Sequence, residues 1–451
     1  MMMITAPQNM PQCARLLKIL CAGAVVGAIA AKPARSEEAC EAGQALSTGL
    51  CAAAQITVDT IGNLRGGVRS GAAAIGQAKL GLQADLEKSA GLVGWTAQIS
   101  GFGIYGRQPT PTLLGSLAPV SNIEAQPTIR LFEAWAERKL GDWGALRFGQ
   151  LAADSEFAAA SFAGNLVNGS FGWPVALANS LPSGGAAYPL ATPGIRLALG
   201  DAEGGTGLRL GAFSGDPGGR YGVATNPQVH NLYGTNFSTS GGVFYISEFV
   251  TGGSPAQGQD GPRPWVLKLG GWYHNGGFDS VRYDQEGLSL ADPASSGIAR
   301  RYAQNYGGYA VAETVIWRGD GSHIGLFTRG FLQPADRNAV DMQLDGGVTW
   351  NNAFGQDSQT LSIGTSWARI GTASRAYDED QITFGASRPI RSHEAVLEIN
   401  YDIPLNEKKL SLRPLAQFLF NPAAKEPDER RSATQSLPNA IVVGLRMTAI
   451  F

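Results

Sequence analysis

Ile441-Val442-Val443-Gly444-Leu445-Arg446-Met447-Thr448-Ala449-Ile450-Phe451 ends the chain, and how this run is read decides the fold. Ile441, Val443, Leu445, Met447, Ala449 and Phe451 share one face, opposite Gly444, Arg446 and Thr448. A two-residue period is that of a strand whose two faces meet different surroundings. Lys79 to Asp85 repeats the pattern, with Leu80, Leu82 and Ala84 on one side and Lys79, Gly81, Gln83 and Asp85 on the other. Similar runs, divided by Gly, Pro, Asn, Asp and Ser, are read at 95–104, 129–138, 145–150, 194–200, 207–213, 242–249, 265–274 and 303–317. Others lie at 323–331, 342–350, 360–369, 381–387, 394–402 and 410–420, which brings the expectation to sixteen strands. Only Asp154 to Ala160 has the pattern of a helix, and it is short.

The composition removes most other classes. The 451 residues include 60 Gly, about twice the usual ~7%, yet the glycines have no three-residue period, which excludes a collagen-like chain. Aromatics at 9% and a net charge of -2 argue against disorder, and the lack of a basic patch argues against nucleic acid as a partner. Arg15 and Lys18 precede the uncharged run Ile19 to Ala31, which falls short of the ~20 residues a spanning helix needs. Small-x-small cleavage sites occur at Ala28-Ile29-Ala30 and Ala34-Arg35-Ser36; with the second, which is favoured, residues 1–36 read as a secretory signal peptide. Its removal takes four basic residues and no acidic one, leaving 31 against 37 and a mature charge of -6. Cys13 and Cys21 leave with it. Cys40 and Cys51 remain in an oxidising compartment, where a disulfide between them is one expectation and two free thiols the other. Residues 37–54 read as a short periplasmic segment and 55–451 as a single barrel domain.

Sixteen alternating segments without interleaved helices fit either a soluble β architecture or a closed transmembrane barrel. A signal peptide followed by strands of about ten residues favours the all-β transmembrane antiparallel barrel, apolar outside and polar within. Trp95, Trp135, Trp265, Trp272, Trp317, Trp350, Trp367, Tyr401 and Phe451 are then candidates for the aromatic girdles. Leu151 to Pro193 departs from strand periodicity and is rich in small residues, Asn, Gly and Pro. Connections of that length are usually functional, and this one is expected to fold into the lumen as a constriction loop.

Motifs for chemistry are weak. Gly101-Phe102-Gly103-Ile104-Tyr105-Gly106 has dinucleotide-fingerprint spacing, but Pro109 and Pro111 follow where a helix would have to start. His230, His274, His323 and His393 form no metal-ligand spacing, and neither a nucleophile elbow nor a phosphate loop is present. Neither enzyme chemistry, a cofactor nor a metal is expected.

Several ordered segments carry a family resemblance. These are Ser121-Asn122-Ile123-Glu124-Ala125, Arg130-Leu131-Phe132-Glu133-Ala134-Trp135, Leu146-Arg147-Phe148-Gly149-Gln150 and Asp154-Ser155-Glu156-Phe157. Asn168-Gly169-Ser170-Phe171-Gly172-Trp173-Pro174, Pro193-Gly194-Ile195-Arg196-Leu197 and Glu394-Ala395-Val396-Leu397-Glu398-Ile399-Asn400-Tyr401 follow in order. Over about residues 55–451 the chain resembles the carbohydrate-selective porins of Gram-negative outer membranes. The resemblance implies a sixteen-stranded barrel passing sugars such as glucose by facilitated diffusion, with a general or differently selective porin as the alternative. It also implies outer-membrane lipid and the barrel-assembly machinery as partners, with Phe451 resembling the terminal assembly signal. Whether the barrel is a monomer or a homo-oligomer stays open.

A neutral, hydroxyl-covered solute calls for polar donors and acceptors, a flat apolar surface for its C–H face, and weak binding so that it leaves again. The candidates are Arg130, Glu133 and Arg147 on early strands and Glu156, Asn168 and Trp173 on the infolded loop. The competing reading makes Arg130–Glu133 a wall salt bridge, Asp154–Glu156 helix caps and Trp173 loop packing.

Overall fold

Alternating side chains commit a segment to lying between two unlike media, and antiparallel pairing with its sequence neighbour is the shortest way to satisfy its backbone. The computed structural model describes residues 44–203, 205–219, 226–254, 261–319, 321–405, 409–428, 432 and 434–451. The expected signal peptide and Cys40 lie outside these residues. The strands are β1 (Gln44–Ser47), β2 (Leu50–Arg65), β3 (Gly71–Asp85), β4 (Trp95–Gly106), β5 (Thr128–Lys139), β6 (Gly144–Leu151) and β7 (Thr192–Gly200). They continue as β8 (Gly207–Ser214), β9 (Val243–Gly252), β10 (Trp265–His274), β11 (Phe278–Asp284), β12 (Ala299–Tyr302) and β13 (Asn305–Gly319). Last come β14 (Ser322–Leu332), β15 (Val340–Asn351), β16 (Thr360–Ile370), β17 (His393–Leu405), β18 (Leu410–Phe420) and β19 (Ala440–Ile450).

From β2 onward each strand pairs antiparallel with the next, except that β10 skips the separate β11–β12 hairpin to reach β13. β19 closes on β2, with Arg446 opposite Asp59 and Met447 opposite Val58. The result is a closed barrel of sixteen strands. Closure leaves the wall no unpaired edge. β1 pairs with the start of β2, next to the point where the Phe451 amide donates to the Ala54 carbonyl at 2.9 Å.

Along β10, Trp265, Leu267 and Leu269 are exposed on the outside, while Trp272 and His274 are buried within. Ile99, Leu80, Ile195, Leu344, Ile363, Val443 and Met447 continue the apolar exterior. Trp265, Trp317 and Phe451 are exposed on that outer wall, where Trp350 meets Phe354 at 4.8 Å and Phe354 meets Tyr401 at 6.1 Å. Trp135 and Trp272 depart from the expected girdles: both are buried inside, packed among the loops.

The two ends differ. Connections 107–127, 152–191, 275–304 and 371–392 lie at one end, whereas 86–94, 140–143 and 352–359 lie at the other, together with the start of β2 and the end of β19. Loops 107–127 and 152–191 turn inward, and Leu113, Val120, Phe157, Phe162, Leu166, Phe171 and Leu177 form one buried cluster with inward wall residues such as Trp272, Val311 and Phe327. Wall glycines make room for them. A Cβ on Gly364 would lie 2.3 Å from Leu166 Cδ1 and 3.0 Å from Phe171, and one on Gly325 would lie 2.3 Å from the Phe162 ring.

Three expectations change. The run 381–387 is no strand: its first residues close the helix Thr372–Thr383, which is rich in the helix formers Ala373, Arg375, Ala376, Glu379 and Gln381. The sixteenth strand is instead β2, starting at Leu50, so the expected periplasmic segment 37–54 already enters the wall. Its alternation is blurred by Ala52-Ala53-Ala54, by Ile61 facing inward and by Gly62 facing outward, although Thr57, Asp59 and Asn63 point in. Asp154 to Ala160 forms turns rather than a helix, and Ala158, at φ 58°, stands in the left-handed region where a helix cannot continue.

Candidate functional site

An inward loop without regular structure exposes amides that the barrel must satisfy. Wall carboxylates do this strand by strand. Glu133 on β5 accepts from Ala152 N at 3.2 Å, Glu248 on β9 from Ala158 N at 2.8 Å, and Glu313 on β13 from Phe162 N at 2.9 Å. Glu398 on β17 accepts from Val167 N and Asn168 N, both at 2.7 Å. Loop carbonyls are met by cations: the fully buried Arg329 pairs with Asp345 at 2.7 Å and donates to the carbonyls of Ala158, Ser170 and Gly172. Lys268 donates to the Ala159 carbonyl at 2.7 Å.

Loop 107–127 is docked in the same way. Arg446 donates to both Asp59 oxygens at 2.7 Å and to Asn122 Oδ1 at 2.7 Å, and Ser121 Oγ donates to Asp59 at 2.5 Å. Asn122 N reaches the Val167 carbonyl at 2.8 Å and Gly169 N the Pro119 carbonyl at 2.7 Å, which joins the two loops. Glu124 accepts from Thr110 N, Thr110 Oγ1 and Ser121 N. Burial raises its carboxyl to about 7 despite those bonds. Asp154, which accepts from Tyr188 N at 2.8 Å, is likewise raised by burial, to about 6.

Beside the loops lies a charge-matched cluster. Arg147 contacts Glu137 at 2.9 Å and Glu156 at 2.7 Å, and Arg196 contacts Glu137 at 2.8 Å and Glu156 at 2.7 Å. The Arg147 guanidinium also lies 3.9 Å from the centre of the Trp135 ring. Burial opposes the Glu156 charge, but Arg196 and Arg147 outweigh it and hold the carboxyl below its usual range.

At the short-turn end, beneath both loops, opens a cavity of about 690 Å³. Gln55, Thr57, Asn122, Asn351, Asn352, Ser358, Asp402, Ser411, Arg413, Arg446 and Thr448 supply its polar lining. Its charges are paired: Arg413 contacts Asp402 at 3.0 Å, and Arg446 is held by Asp59. The space therefore offers donors and acceptors with little uncompensated charge. Its volume falls within the ~300–1,000 Å³ of small-molecule sites.

The residues singled out from the sequence are placed as follows. Arg130 is 1% exposed and donates to the carbonyls of Pro189, Gln228 and Leu232; it makes no salt bridge with Glu133. Glu133 holds the start of loop 152–191. Arg147 and Glu156 are brought together in the charged cluster. Asn168 is buried, caps Gly169–Phe171 and donates to Gln417 at 3.0 Å. Trp173 donates from Nε1 to the Gly184 carbonyl at 3.0 Å and packs against the loop core. Cys51 is buried and disulfide-bonded. Among the described residues no group of His, Cys, Asp and Glu is arranged to hold a metal. The cavity lining on β2, β17, β18 and β19 went unread because its members are up to about 390 residues apart in the chain. Asn122 and Ile123 of the Ser121–Ala125 segment and Arg446, Thr448 and Ile450 of the closing strand were in view, but nothing in their local sequence joins them into one lining.

The carbohydrate-selective porin, OprB family model matches residues 69–451. No curated protein matches the chain. The high-pH structure of Pseudomonas putida OprB superposes with a TM-score of 0.77 at 20% identity, covering 89% of this chain and 94% of that one. The low-pH structure of the same protein gives 0.50 at 14% identity, covering 89% and 93%.

Proposed function

Since the chain belongs to the carbohydrate-selective porin, OprB family, and is thus an outer-membrane channel of Gram-negative type rather than an enzyme, we propose that it passes monosaccharides such as glucose by facilitated diffusion. The observation that carries the proposal is the polar cavity below the joined loops, where the Arg413–Asp402 and Arg446–Asp59 pairs leave hydrogen-bonding capacity without net charge. Such a surface replaces the hydration of a neutral polyol more readily than that of a small ion. Weak, repeated contacts then let the solute leave.

In this reading Arg130, Glu133 and the Asn168 side chain, which accepts from Ser170 N, shape the constriction by holding loop backbone, Trp173 pins the loop, and Arg147 with Glu156 forms its charged side. Sugar contact passes to Asn122, Asp402, Arg413 and Thr448. Swelling of liposomes containing the mature protein, with pentoses, hexoses, disaccharides and size-matched amino acids, tests it. Faster uptake of monosaccharides than of size-matched amino acids, with saturable sugar block of ion current, is expected. Rates that follow molecular mass alone would make it a general porin.

A further inference from the structure

Cations on the inner wall come with partners. Arg147 and Arg196 share Glu137 and Glu156, Arg209 meets Glu203 and Glu248, Arg329 meets Asp345, Arg413 meets Asp402 and Arg446 meets Asp59. Lys268 is tied to the Ala159 carbonyl. Lys79 on β3 differs. It lies two residues from Gln77, whose amide donates inward to Tyr188 Oη at 3.1 Å, so strand alternation points Lys79 into the lumen as well. It is solvent-exposed there, and no ion pair forms on it among the described residues. Glu133 and Asp154 act on it electrostatically but are themselves buried, accepting from Ala152 N and Tyr188 N.

In the β2–β3 register Lys79 stands directly opposite Gln55, which lines the 690 Å³ cavity and donates to Thr57 Oγ1 at 3.0 Å. An exposed lysine thus stands one strand across from the carboxamide that begins a lining of amides and hydroxyls with little net charge of its own. We propose that Lys79 is a specificity-determining residue for carboxylated sugars, aldonic or uronic acids. The ammonium takes the carboxylate while Gln55, Thr57 and Thr448 meet the hydroxyls. An exposed cation keeps that pairing weak enough for release.

The inference rests on the sugar-channel reading, and its test keeps the two apart. Uptake of gluconate and of glucose is measured in liposomes with wild type, Lys79→Gln and Lys79→Arg, each verified as folded barrel by heat-modifiable migration. The gluconate-to-glucose ratio is expected to fall about fivefold in Lys79→Gln, the size of one unit-charge contact in water, and to be kept in Lys79→Arg. An equal ratio in wild type and Lys79→Gln overturns the proposal. If wild type takes up neither solute, the sugar reading falls instead. The role of Lys79 is then decided by the reversal potential in a KCl gradient, which Lys79→Gln must shift toward cations for the assignment to stand.

Discussion

Single side chains on this wall act mostly by gripping backbone. Arg329 holds three loop carbonyls and Asp345 in a space without solvent. Arg329→Met leaves Asp345 as an unpaired buried charge, a change that typically costs about 3–5 kcal/mol. Lower resistance to denaturant and higher single-channel conductance, as loop 152–191 loosens, are the expected results. Gly364→Leu acts through volume: even a Cβ there meets Leu166 Cδ1 at 2.3 Å, so the loop must move away from β16. Conductance rises and sugar block weakens; unchanged block in a folded variant would show that this contact does not set the constriction. Residue types were legible in the sequence, but directions were not always. A register shift in β5, where Ser100 pairs with Glu133 but Gly101 with Leu131, ends simple counting across Arg130 to Glu133. Arg130 and Glu133 were therefore readable as polar wall residues, but not as holders of the two ends of loop 152–191, at Pro189 and Ala152.

Elements with a clean period were legible, and those shaped by tertiary contact were not. The closing strand β19 follows its alternation through Met447, whereas the helix Thr372–Thr383 is set by local helix formers that the alternation of Gln381 to Ser387 masked. Loop 107–127 carried no length signal comparable to loop 152–191. Its inward course depends on Asp59 and Arg446, brought together only when β19 meets β2. This loop makes the docking sensitive to pH. Its Glu124 carboxyl is raised by burial from 4.5 to about 7, so the docked loop binds a proton that the released loop gives up. Docking is therefore strongest below about pH 4.5 and weakens as pH rises toward about 7, beyond which no further change comes from this group. Conductance at fixed salt should rise from pH 5 to pH 8, and Glu124→Gln should flatten the profile. A profile with the opposite slope in wild type would remove Glu124 as the controlling group.

At the scale of the molecule, wall and constriction are separable. The ladder from β2 to β19 closes on itself without any loop hydrogen bond, whereas loops 107–127 and 152–191 are held from inside by wall side chains. Barrel assembly should therefore depend on the strands and on their end. The Phe451 amide is paired to Ala54 while the residue itself is 58% exposed. Deleting Phe451 is expected to reduce the amount of folded barrel in the outer membrane while leaving the conductance of the channels that do form unchanged. Shortening loop 152–191, for example by replacing Phe162–Leu181 with a Gly-Ser linker, should do the reverse. The deletion removes the main apolar contents of the lumen, including Phe162, Leu166, Phe171 and Leu177, and leaves Glu313, Arg329 and Glu398 facing water, where charged groups are readily hydrated. The barrel should still run as a heat-modifiable band, with larger conductance and with solute uptake that follows size and does not saturate. A shortened protein that kept saturable sugar block would place selectivity wholly in the short-turn cavity around Asp402, Arg413 and Asn122, with the long loop reduced to a filler of the upper lumen.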